Sequence, residues 1–217
     1  MFITFEGLDF SGKTTQANML IAGLKGLLRA RSDQPQALNL IRDPGGTRIS
    51  ERIRELLLDR KSLEVAEMTE LFLFSASRSQ LVREVIAPAL RKGEIVVCDR
   101  YYDSTTAYQG YGRGIDLASV KTINRIASLG VDPNITILVD ITVDEIARRK
   151  AKAGVPFDRM ESAGRDFYER VRSGYLELAQ EEPARIICVN GMAPVQEVQR
   201  EIWQRVQEKM AFHKQLV

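Results

Sequence analysis

A glycine-rich stretch near the start of the sequence constrains the fold more than any other feature. Gly7-Leu8-Asp9-Phe10-Ser11-Gly12-Lys13-Thr14 matches the pattern G-x-x-x-x-G-K-[ST] at every fixed position. It follows the apolar run Phe2–Phe5 and opens a segment of helical periodicity, which is the setting that the pattern requires. The two glycines permit a tight turn whose N–H groups, with the positive end of the helix, point at a phosphate chain. The sequence therefore predicts a phosphate-binding loop.

Three further residues fit the chemistry of such a loop. Lys13 is expected to reach the outer phosphates, and the hydroxyl of Thr14 is expected to help hold Mg²⁺. Asp99 follows the third apolar run, where enzymes with this loop commonly place a carboxylate that holds the ion through water. By position alone, Asp99 could instead be a capped or ion-paired surface residue. Thr14 and Asp99 are the candidate metal-binding residues.

Short apolar runs alternate along the chain with longer segments of helical periodicity, a pattern typical of β-α-β units. We expect strands at Phe2–Phe5, Leu38–Ile41, Ile95–Cys98, Ile135–Val139 and Ile186–Val189. Helices are expected at about residues 13–29, 49–58, 65–91, 117–129, 145–152, 165–181 and 195–209. In the last helix, Val198, Ile202 and Val206 should cover one face of the sheet. The predicted fold is α/β, a P-loop NTPase-type five-stranded parallel sheet with helices on both faces.

Length and composition favour one compact unit without a nucleic-acid partner. A chain of 217 residues suits a single α/β domain, which we place at residues 1–210 with a C-terminal tail at 211–217. The 31 basic and 29 acidic residues leave a net charge of +2, so the total charge does not imply a surface for nucleic acid. The only histidine, His213, falls in the tail and is assigned no role.

The sequence also favours a reducing, aqueous location. No stretch approaches 18 apolar residues, and the sequence begins with the first strand rather than with a basic leader. Cys98 and Cys188 each end an apolar run without metal-ligand spacing, so both are expected to be buried thiols. We expect a cytoplasmic protein without a membrane partner.

Polar side chains follow the predicted strands at the point where each strand ends. Glu6 ends the first strand, Asp43 lies just beyond the second, Asp99 and Arg100 follow the third, and Asp140 follows the fourth. Ligands of open parallel sheets bind at the carboxyl ends of the strands. These tips and the phosphate-binding loop should therefore form one site.

Five motifs along the chain resemble those of bacterial thymidylate kinases. They are EGLD before SGKTTQ, RDPGGT after the second strand, LFSASR in the long helix, DRYYDSTTAYQG after the third strand, and FDRME near residue 160. They occur in the family's order and span residue 2 to about 205. The resemblance implies transfer of the γ-phosphoryl group of ATP to dTMP, with Mg²⁺, giving dTDP and ADP for dTTP biosynthesis. It also implies a cytoplasmic homodimer.

The resemblance assigns roles residue by residue. The loop that holds ATP corresponds to Gly7, Leu8, Asp9, Phe10, Ser11, Gly12, Lys13, Thr14 and Thr15. The dTMP site corresponds to Asp9, Asp43, Arg54, Phe74, Arg78, Arg100, Ser104, Thr105, Tyr108 and Gln109. Phe74 resembles the ring that stacks on thymine and Arg78 the side chain that hydrogen-bonds the base. Their i, i+4 spacing places them on one helix face, although residue type alone would assign Phe74 to the core.

The remaining expected dTMP contacts concern its phosphate and sugar. Arg100 is the expected clamp on the dTMP phosphate, because a guanidinium can bind two oxygens and screen repulsion between the two nucleotides. Tyr108 near C2′ would disfavour ribose by filling the space of the missing hydroxyl, which an apolar pocket alone does only weakly.

The expected mechanism needs no protein base. A nucleotide phosphate is already largely ionised at neutral pH, so catalysis depends on positioning and on neutralising charge. A basic run extends from Arg148 to Lys152, and Gly154 then breaks the helix. We expect this run to begin a mobile lid at about residues 148–160 that closes over ATP. A solvated helix face is the alternative for this run. The expected catalytic residues are Lys13, Asp9, Arg100, Arg149 and Arg159.

Phe10 departs from the family, which usually has a small residue there or, in another branch, a catalytic Arg. Phe10 cannot supply charge, so the lid arginines become more necessary, and a catalytically weakened binding protein is one alternative. A kinase for another nucleoside monophosphate is the nearest alternative, since only Phe74, Arg78 and Tyr108 argue against it. A third alternative is a nucleotide-switch GTPase or an ATP-driven assembly protein, but the sequence has no N-K-x-D motif for reading guanine.

Overall fold

The computed structural model describes residues 1–31, 37–59, 61–62, 64–154 and 164–215. Within them, the strands form one five-stranded parallel sheet in the order β2-β3-β1-β4-β5. The strands are β1 (Phe2–Glu6), β2 (Leu38–Arg42), β3 (Ile95–Asp99), β4 (Ile135–Asp140) and β5 (Ile186–Asn190). Each predicted strand is confirmed to within one residue at either end. The prediction of an α/β fold with a five-stranded parallel sheet is therefore confirmed.

Helices connect the strands and cover the sheet. They are α1 (Lys13–Arg31), α2 (Arg48–Leu58), α3 (Glu67–Leu81), α4 (Ala87–Arg91), α5 (Tyr102–Thr105), α6 (Leu117–Ala127), α7 (Val143–Ala153), α8 (Arg165–Glu181) and α9 (Val195–Gln215). Side-chain caps set two of the starts: Thr47 accepts from the backbone N–H of Ser50 before α2, and Asp116 does so from Ser119 before α6. Gly154 ends α7 in the left-handed conformation.

The long helix predicted at 65–91 begins at Glu67 and is not uniformly α-helical. A π-helical turn at Val82–Ile86 joins α3 to α4. Pro88 lies just beyond it, and a proline ring would clash with the carbonyl four residues earlier in a regular α-helix. The wider turn accommodates this proline without ending the helix.

The helix after β3 was missed by the sequence analysis. α5 continues directly into a π-helical turn at Thr106–Gly112. Glycines and adjacent threonines disfavour helix on propensity alone, but here the glycines are required by packing. A Cβ added at Gly110 would lie 2.7 Å from Leu117, and one at Gly112 would lie 2.7 Å from Phe167 on α8. Tertiary contact therefore outweighs local preference in this segment.

The side chains on the two faces of β1 pack against different helices. Ile3 and Phe5 pack in a cluster with residues of α1 and α9. Phe2, on the other face, packs with residues of α3, α4 and the turn between them. As predicted, the α9 residues Val198, Ile202 and Val206 are buried against the sheet.

One prediction about the cysteines is wrong. Cys98 in β3 is buried as expected, but Cys188 is exposed. β5 forms an edge of the sheet, and its side chains at residues 187, 188 and 190 are only partly covered or open to solvent. Among the described residues, no helix is long and apolar enough to cross a membrane.

Candidate functional site

The loop after β1 has the backbone geometry that its glycines permit. Gly7 has a φ of 136°, and a Cβ there would lie 2.4 Å from the carbonyl oxygen of Val139. Gly12 has a φ of 94°. These are values that residues with a side chain rarely adopt. The glycine positions of the motif therefore have a physical reason in this structure.

Phe10 adopts a left-handed backbone conformation, with a φ of 60°, which is uncommon for a bulky residue. Its ring packs against a buried cluster that contains Leu8 and Ile146. The Nζ atom of Lys150 on α7 lies 5.5 Å from the ring centroid, within the range of a cation–π contact. Phe10 thus connects the loop to α7.

Lys13 is held within the loop. Its Nζ donates to the carbonyl oxygen of Leu8 at 3.2 Å. Burial and the charge of Arg100 together lower the pKa of Lys13 to about 8, against the opposing charges of Asp9 and Asp99. The amine still remains mainly protonated at neutral pH and can bind an anion.

Thr14 and Asp99, the predicted metal-binding residues, lie together. The hydroxyl of Thr14 donates to Oδ2 of Asp99. The other carboxylate oxygen, Oδ1, is buried and has no hydrogen-bond partner within the described part of the chain. A hydroxyl and a carboxylate with an unused oxygen are ligands of the kind that Mg²⁺ prefers, so these residues fit the ion.

A cavity opens beside the loop. All ten residues predicted for the acceptor line it: Asp9, Asp43, Arg54, Phe74, Arg78, Arg100, Ser104, Thr105, Tyr108 and Gln109. Pro44 and Leu58, which the sequence analysis did not select, complete its wall. The structure therefore brings the tips of β1, β2 and β3 together with one face of α3.

Arg100 connects this cavity to the loop. Its Nη1 donates to the carbonyl oxygen of Gly7 at 2.9 Å and to the hydroxyl of Ser104 at 3.0 Å. Its Nη2 donates to Oδ1 of Asp9 at 2.5 Å and to the hydroxyl of Tyr108 at 3.3 Å. The Arg100 backbone is itself left-handed, with a φ of 69°. The guanidinium is thus fixed between the loop and the cavity.

Asp9 accepts hydrogen bonds from two tyrosines as well as from Arg100. Tyr108 donates to its Oδ2 at 3.0 Å, and Tyr168 of α8 does so at 3.2 Å. Burial alone would raise the pKa of Asp9, but the charges of Arg100 and Lys13 and the tyrosine hydrogen bonds lower it. Asp9 is therefore an ionised carboxylate at neutral pH.

Glu6 lies beneath Arg100 and is completely buried. Its Oε1 accepts from the backbone N–H of Tyr101 at 2.7 Å, and its Oε2 accepts from Ser104 at 2.5 Å and Tyr175 at 3.0 Å. Burial and the charge of Asp103 together raise the pKa of Glu6 to about 7, against the opposing hydrogen bond from Ser104 and the charge of Arg100. Ser104 and Tyr175 also accept from Arg100.

Arg78 is buried on the cavity wall. Its Nε donates to Asp43 at 2.6 Å, its Nη1 to Asn124 at 3.0 Å and its Nη2 to Thr105 at 2.7 Å, with a longer contact to the carbonyl oxygen of Tyr101. Burial raises the pKa of Asp43, although Arg78 opposes that rise. Oδ1 of Asp43 is buried without a partner among the described residues. This oxygen is available to a donor on a ligand.

α7 lies against the outside of the loop. Arg149 donates through Nη1 to the carbonyl oxygens of Phe10 and Ser11, at 3.1 and 3.0 Å, and through Nη2 to that of Gly191 at 2.7 Å. Arg148 is mostly exposed and pairs with Glu145. Arg159 and the rest of the predicted lid from residue 155 to 160 lie outside the described residues.

Several residues of this site were not selected from the sequence. Tyr168 and Tyr175 lie seven positions apart on α8, a spacing that indicates a buried face but not contact with Asp9 and Glu6. Glu70, which is buried beside Gln109, lies one helical turn before Phe74. That i, i+4 relation to Phe74 is the one signal that could have revealed it.

Comparison with known proteins gives a consistent result. A sequence model of the thymidylate kinase family matches residues 5–202. The chain is 44% identical to the thymidylate kinase of Caldanaerobacter subterraneus over 95% of both chains, and 44% identical to that of Deinococcus radiodurans over 96% and 97%. It is similar to the crystal structure of thymidylate kinase from Ehrlichia chaffeensis, with a TM-score of 0.75, 34% identity, and coverage of 95% and 98% of the two chains.

Proposed function

The chain belongs to the thymidylate kinase family, and we propose that it transfers the γ-phosphoryl group of ATP to dTMP, giving ADP and dTDP. One observation carries the proposal most directly. The residues that match the family's dTMP-binding positions line a single cavity, and Arg100 joins that cavity to the phosphate-binding loop. A phosphoryl group can pass between two nucleotides only if their phosphates lie in line at such a junction.

We propose that Gly7 to Thr15 bind the phosphates of ATP, with Lys13 reaching the outer ones. Thr14 and Asp99 would hold Mg²⁺, which when bound offsets negative charge on the phosphates. The unpartnered oxygen of Asp99 supports this assignment. Asp9, Arg100, Arg149 and Arg159 complete the proposed catalytic group.

The proposed mechanism depends on positioning rather than on a general base. The dTMP phosphate is already largely ionised at neutral pH. Arg100 is presented with fixed geometry by Gly7, Asp9 and Ser104, so it can bind the acceptor phosphate without a large loss of side-chain entropy. Its charge screens the repulsion between acceptor and donor phosphates.

The cavity also supports recognition of a deoxynucleotide with a flat base. Phe74 provides a ring and Arg78 a donor on the same face of α3. We propose that Tyr108 fills the space of a ribose hydroxyl; the Arg100 guanidinium over its ring and its hydrogen bond to Asp9 support this role by fixing the ring in the cavity. A kinase for another monophosphate would share the loop but would need a different wall here.

The proposal is tested by measuring ADP release from Mg-ATP with dTMP, dUMP, dCMP, dGMP and AMP at matched concentrations. We expect dTMP to give the highest kcat/KM. A higher value with a purine monophosphate would retain the kinase reaction and discard the acceptor assignment. Nucleotide hydrolysis that does not depend on any acceptor would instead favour the switch or assembly class.

We also propose that residues 1–210 act as one catalytic unit in a cytoplasmic homodimer. Exposed apolar side chains on two packed helices support a second copy as the partner: Met68 and Phe72 on α3 and Ile126 on α6 are 43%, 55% and 69% exposed. Apolar patches of this kind commonly mark protein interfaces. The free thiol of the buried Cys98 supports the reducing location.

A charge on this surface should prevent dimer formation. We expect Phe72→Glu to sediment as a monomer at concentrations where the wild-type protein sediments as a dimer, because the carboxylate would be buried without a partner. Leu40→Glu, at an exposed apolar position on the edge strand β2, is the control and should remain dimeric. A monomeric wild-type protein, or a dimeric Phe72→Glu variant, would contradict the proposal.

A further inference from the structure

Glu70 is a buried carboxylate that touches the wall of the acceptor cavity from behind. Its side chain is 1% exposed and lies on α3, one turn before Phe74 and two turns before Arg78. Its Oε1 accepts from Nε2 of Gln109 at 2.9 Å. Arg113 donates to both of its oxygens, from Nε at 3.3 Å and from Nη2 at 3.2 Å. The mechanism proposed above gives this carboxylate no role.

The contact with Glu70 determines whether the nitrogen or the oxygen of the Gln109 amide faces Glu70. Arg113 donates to both oxygens of Glu70, and a carboxylate paired in this way offers only acceptors to its other neighbours. The nitrogen of Gln109 must therefore be the atom that faces Glu70, since an amide oxygen there would set two acceptors against each other. The oxygen Oε1 then lies on the other branch of the amide. Gln109 also lines the cavity.

Arg78 contributes the complementary group. A guanidinium has five N–H donors, and four of those of Arg78 have partners within the described residues: Asp43, Asn124, Thr105 and the carbonyl of Tyr101. Within the described part of the chain, one N–H on Nη1 has no partner and can donate to a ligand. Arg78 and Gln109 line the same cavity, so a donor from Arg78 and an acceptor from Gln109 would match a ring that presents a carbonyl next to an N–H. Thymine and uracil have this edge, whereas cytosine has an amino group next to an unprotonated nitrogen.

We propose that Glu70 is a positioning residue for base recognition: it fixes the amide of Gln109 so that its oxygen accepts the N3–H of a keto pyrimidine and rejects cytosine. This inference rests on the proposed function, because it assumes that the base lies in this cavity. Arg113 takes part by holding the carboxylate, and its own guanidinium lies over the ring of Phe167, 4.9 Å from the centroid. The carboxylate is therefore fixed before any nucleotide binds.

The test replaces the acceptor-only group with one that can also donate. In Glu70→Gln, the new amide can pair with either end of Gln109, so the amide of Gln109 can rotate and offer its nitrogen to cytosine. We expect the ratio of kcat/KM for dTMP to that for dCMP to fall at least about tenfold. The ratio for dTMP to dUMP should not change, because both bases have the same edge. Glu67→Gln, at an exposed position on the same helix, is the matched control.

The ratios separate this role from a purely structural one. A smaller active fraction lowers kcat for every acceptor and leaves all ratios unchanged. A folded Glu70→Gln variant with an unchanged dTMP to dCMP ratio would overturn the proposal. An equal fall in the dTMP to dCMP ratio and in the dTMP to dUMP ratio would also overturn the proposal, since that result indicates general loosening of the cavity.

A second measurement uses the unaltered protein and so does not depend on the folding of a variant. N3-methyl-dTMP lacks the N–H that Gln109 is proposed to accept, and we expect the wild-type enzyme to use it at least a hundredfold less well than dTMP. Equal use of the two would overturn the inference. A wild-type enzyme that does not phosphorylate dTMP at all would instead refute the proposed function, so the two failures can be told apart.

Discussion

Glu6 shows how one buried residue can organise a charged site. It lies at the end of the central strand and is surrounded by the backbone of Tyr101, the hydroxyls of Ser104 and Tyr175, and the nearby charges of Asp103 and Arg100. Because Ser104 donates its single hydrogen to Glu6, its lone pairs remain free to accept from Arg100. Glu6 thereby helps to orient the proposed phosphate clamp.

The raised pKa of Glu6 predicts a specific dependence of stability on pH. Its pKa is about 7 in the folded protein, against an ordinary value of 4.5, because burial disfavours the charged form. Between these values the folded state holds more protons than the unfolded chain, so the free energy of unfolding falls as the pH rises. The contribution of Glu6 is present below about pH 4.5 and lost by about pH 7, and it amounts to about 3 kcal/mol.

Urea denaturation of the wild type and of Glu6→Gln at pH 5 and pH 8 measures this contribution. Gln cannot titrate, so we expect the loss of stability between the two pH values to be smaller in the variant by up to about 3 kcal/mol. Other groups titrate in both proteins and cancel in the comparison. An identical pH dependence in the two proteins would show that Glu6 is ionised throughout this range.

The sequence predicted the charged residues of the site better than the residues that support them. Asp9, Asp43 and Arg100 follow strands, and the rule that parallel strands end at one edge is enough to bring them together. Glu70 and Tyr175 reach the site across the interior from α3 and α8. Their hydrogen bonds depend on how the helices pack, and residue spacing does not encode that.

At the scale of elements, α7 is coupled to the phosphate-binding loop. Arg149 bonds three carbonyl oxygens, of Phe10, Ser11 and Gly191, and Lys150 lies over the ring of Phe10. The position at which the family usually has a small residue is therefore used here as a contact between loop and helix. Movement of α7 would be transmitted to the backbone that is proposed to bind the donor phosphates.

Arg149→Ala should lower kcat more than it weakens acceptor binding. Loss of the contacts to the loop displaces the groups that align the donor, and misalignment of about 1 Å can cost a hundredfold in rate. We expect kcat to fall by about tenfold to a hundredfold, with less than about a twofold change in the Kd for dTMP, as measured by steady-state kinetics and calorimetry. Arg148→Ala, at the exposed neighbouring position, is the control. Equal loss in kcat and in dTMP affinity would make Arg149 a binding residue for the acceptor.

The strands and most helices were predictable because their signals are local. Apolar runs bounded by polar tips gave each strand of the sheet to within one residue. The helix after β3 was not predictable from the sequence. Gly110 and Gly112 favour a loop locally, but they permit close packing against Leu117 and Phe167. The prediction that Cys188 is buried was wrong for a related reason, since an apolar run does not reveal that its strand lies at an edge of the sheet.

At the scale of the whole molecule, the order of the strands places the two proposed nucleotides. β1 lies at the centre, with β3 on one side and β4 on the other. The loop after β1 therefore lies beside Asp99 and Arg100 after β3, so the proposed donor and acceptor sites adjoin at the centre of the sheet. This arrangement is the basis for the proposed direct transfer of a phosphoryl group between the two nucleotides.

The most direct test is to incubate the enzyme with ATP labelled in the γ-phosphoryl group, Mg²⁺ and dTMP, and to identify the labelled product. We predict that the label appears in dTDP in a one-to-one ratio with ADP, and that Arg100→Ala lowers the rate by at least about a hundredfold. Label that appears only as inorganic phosphate, or at a rate independent of dTMP, would contradict the account.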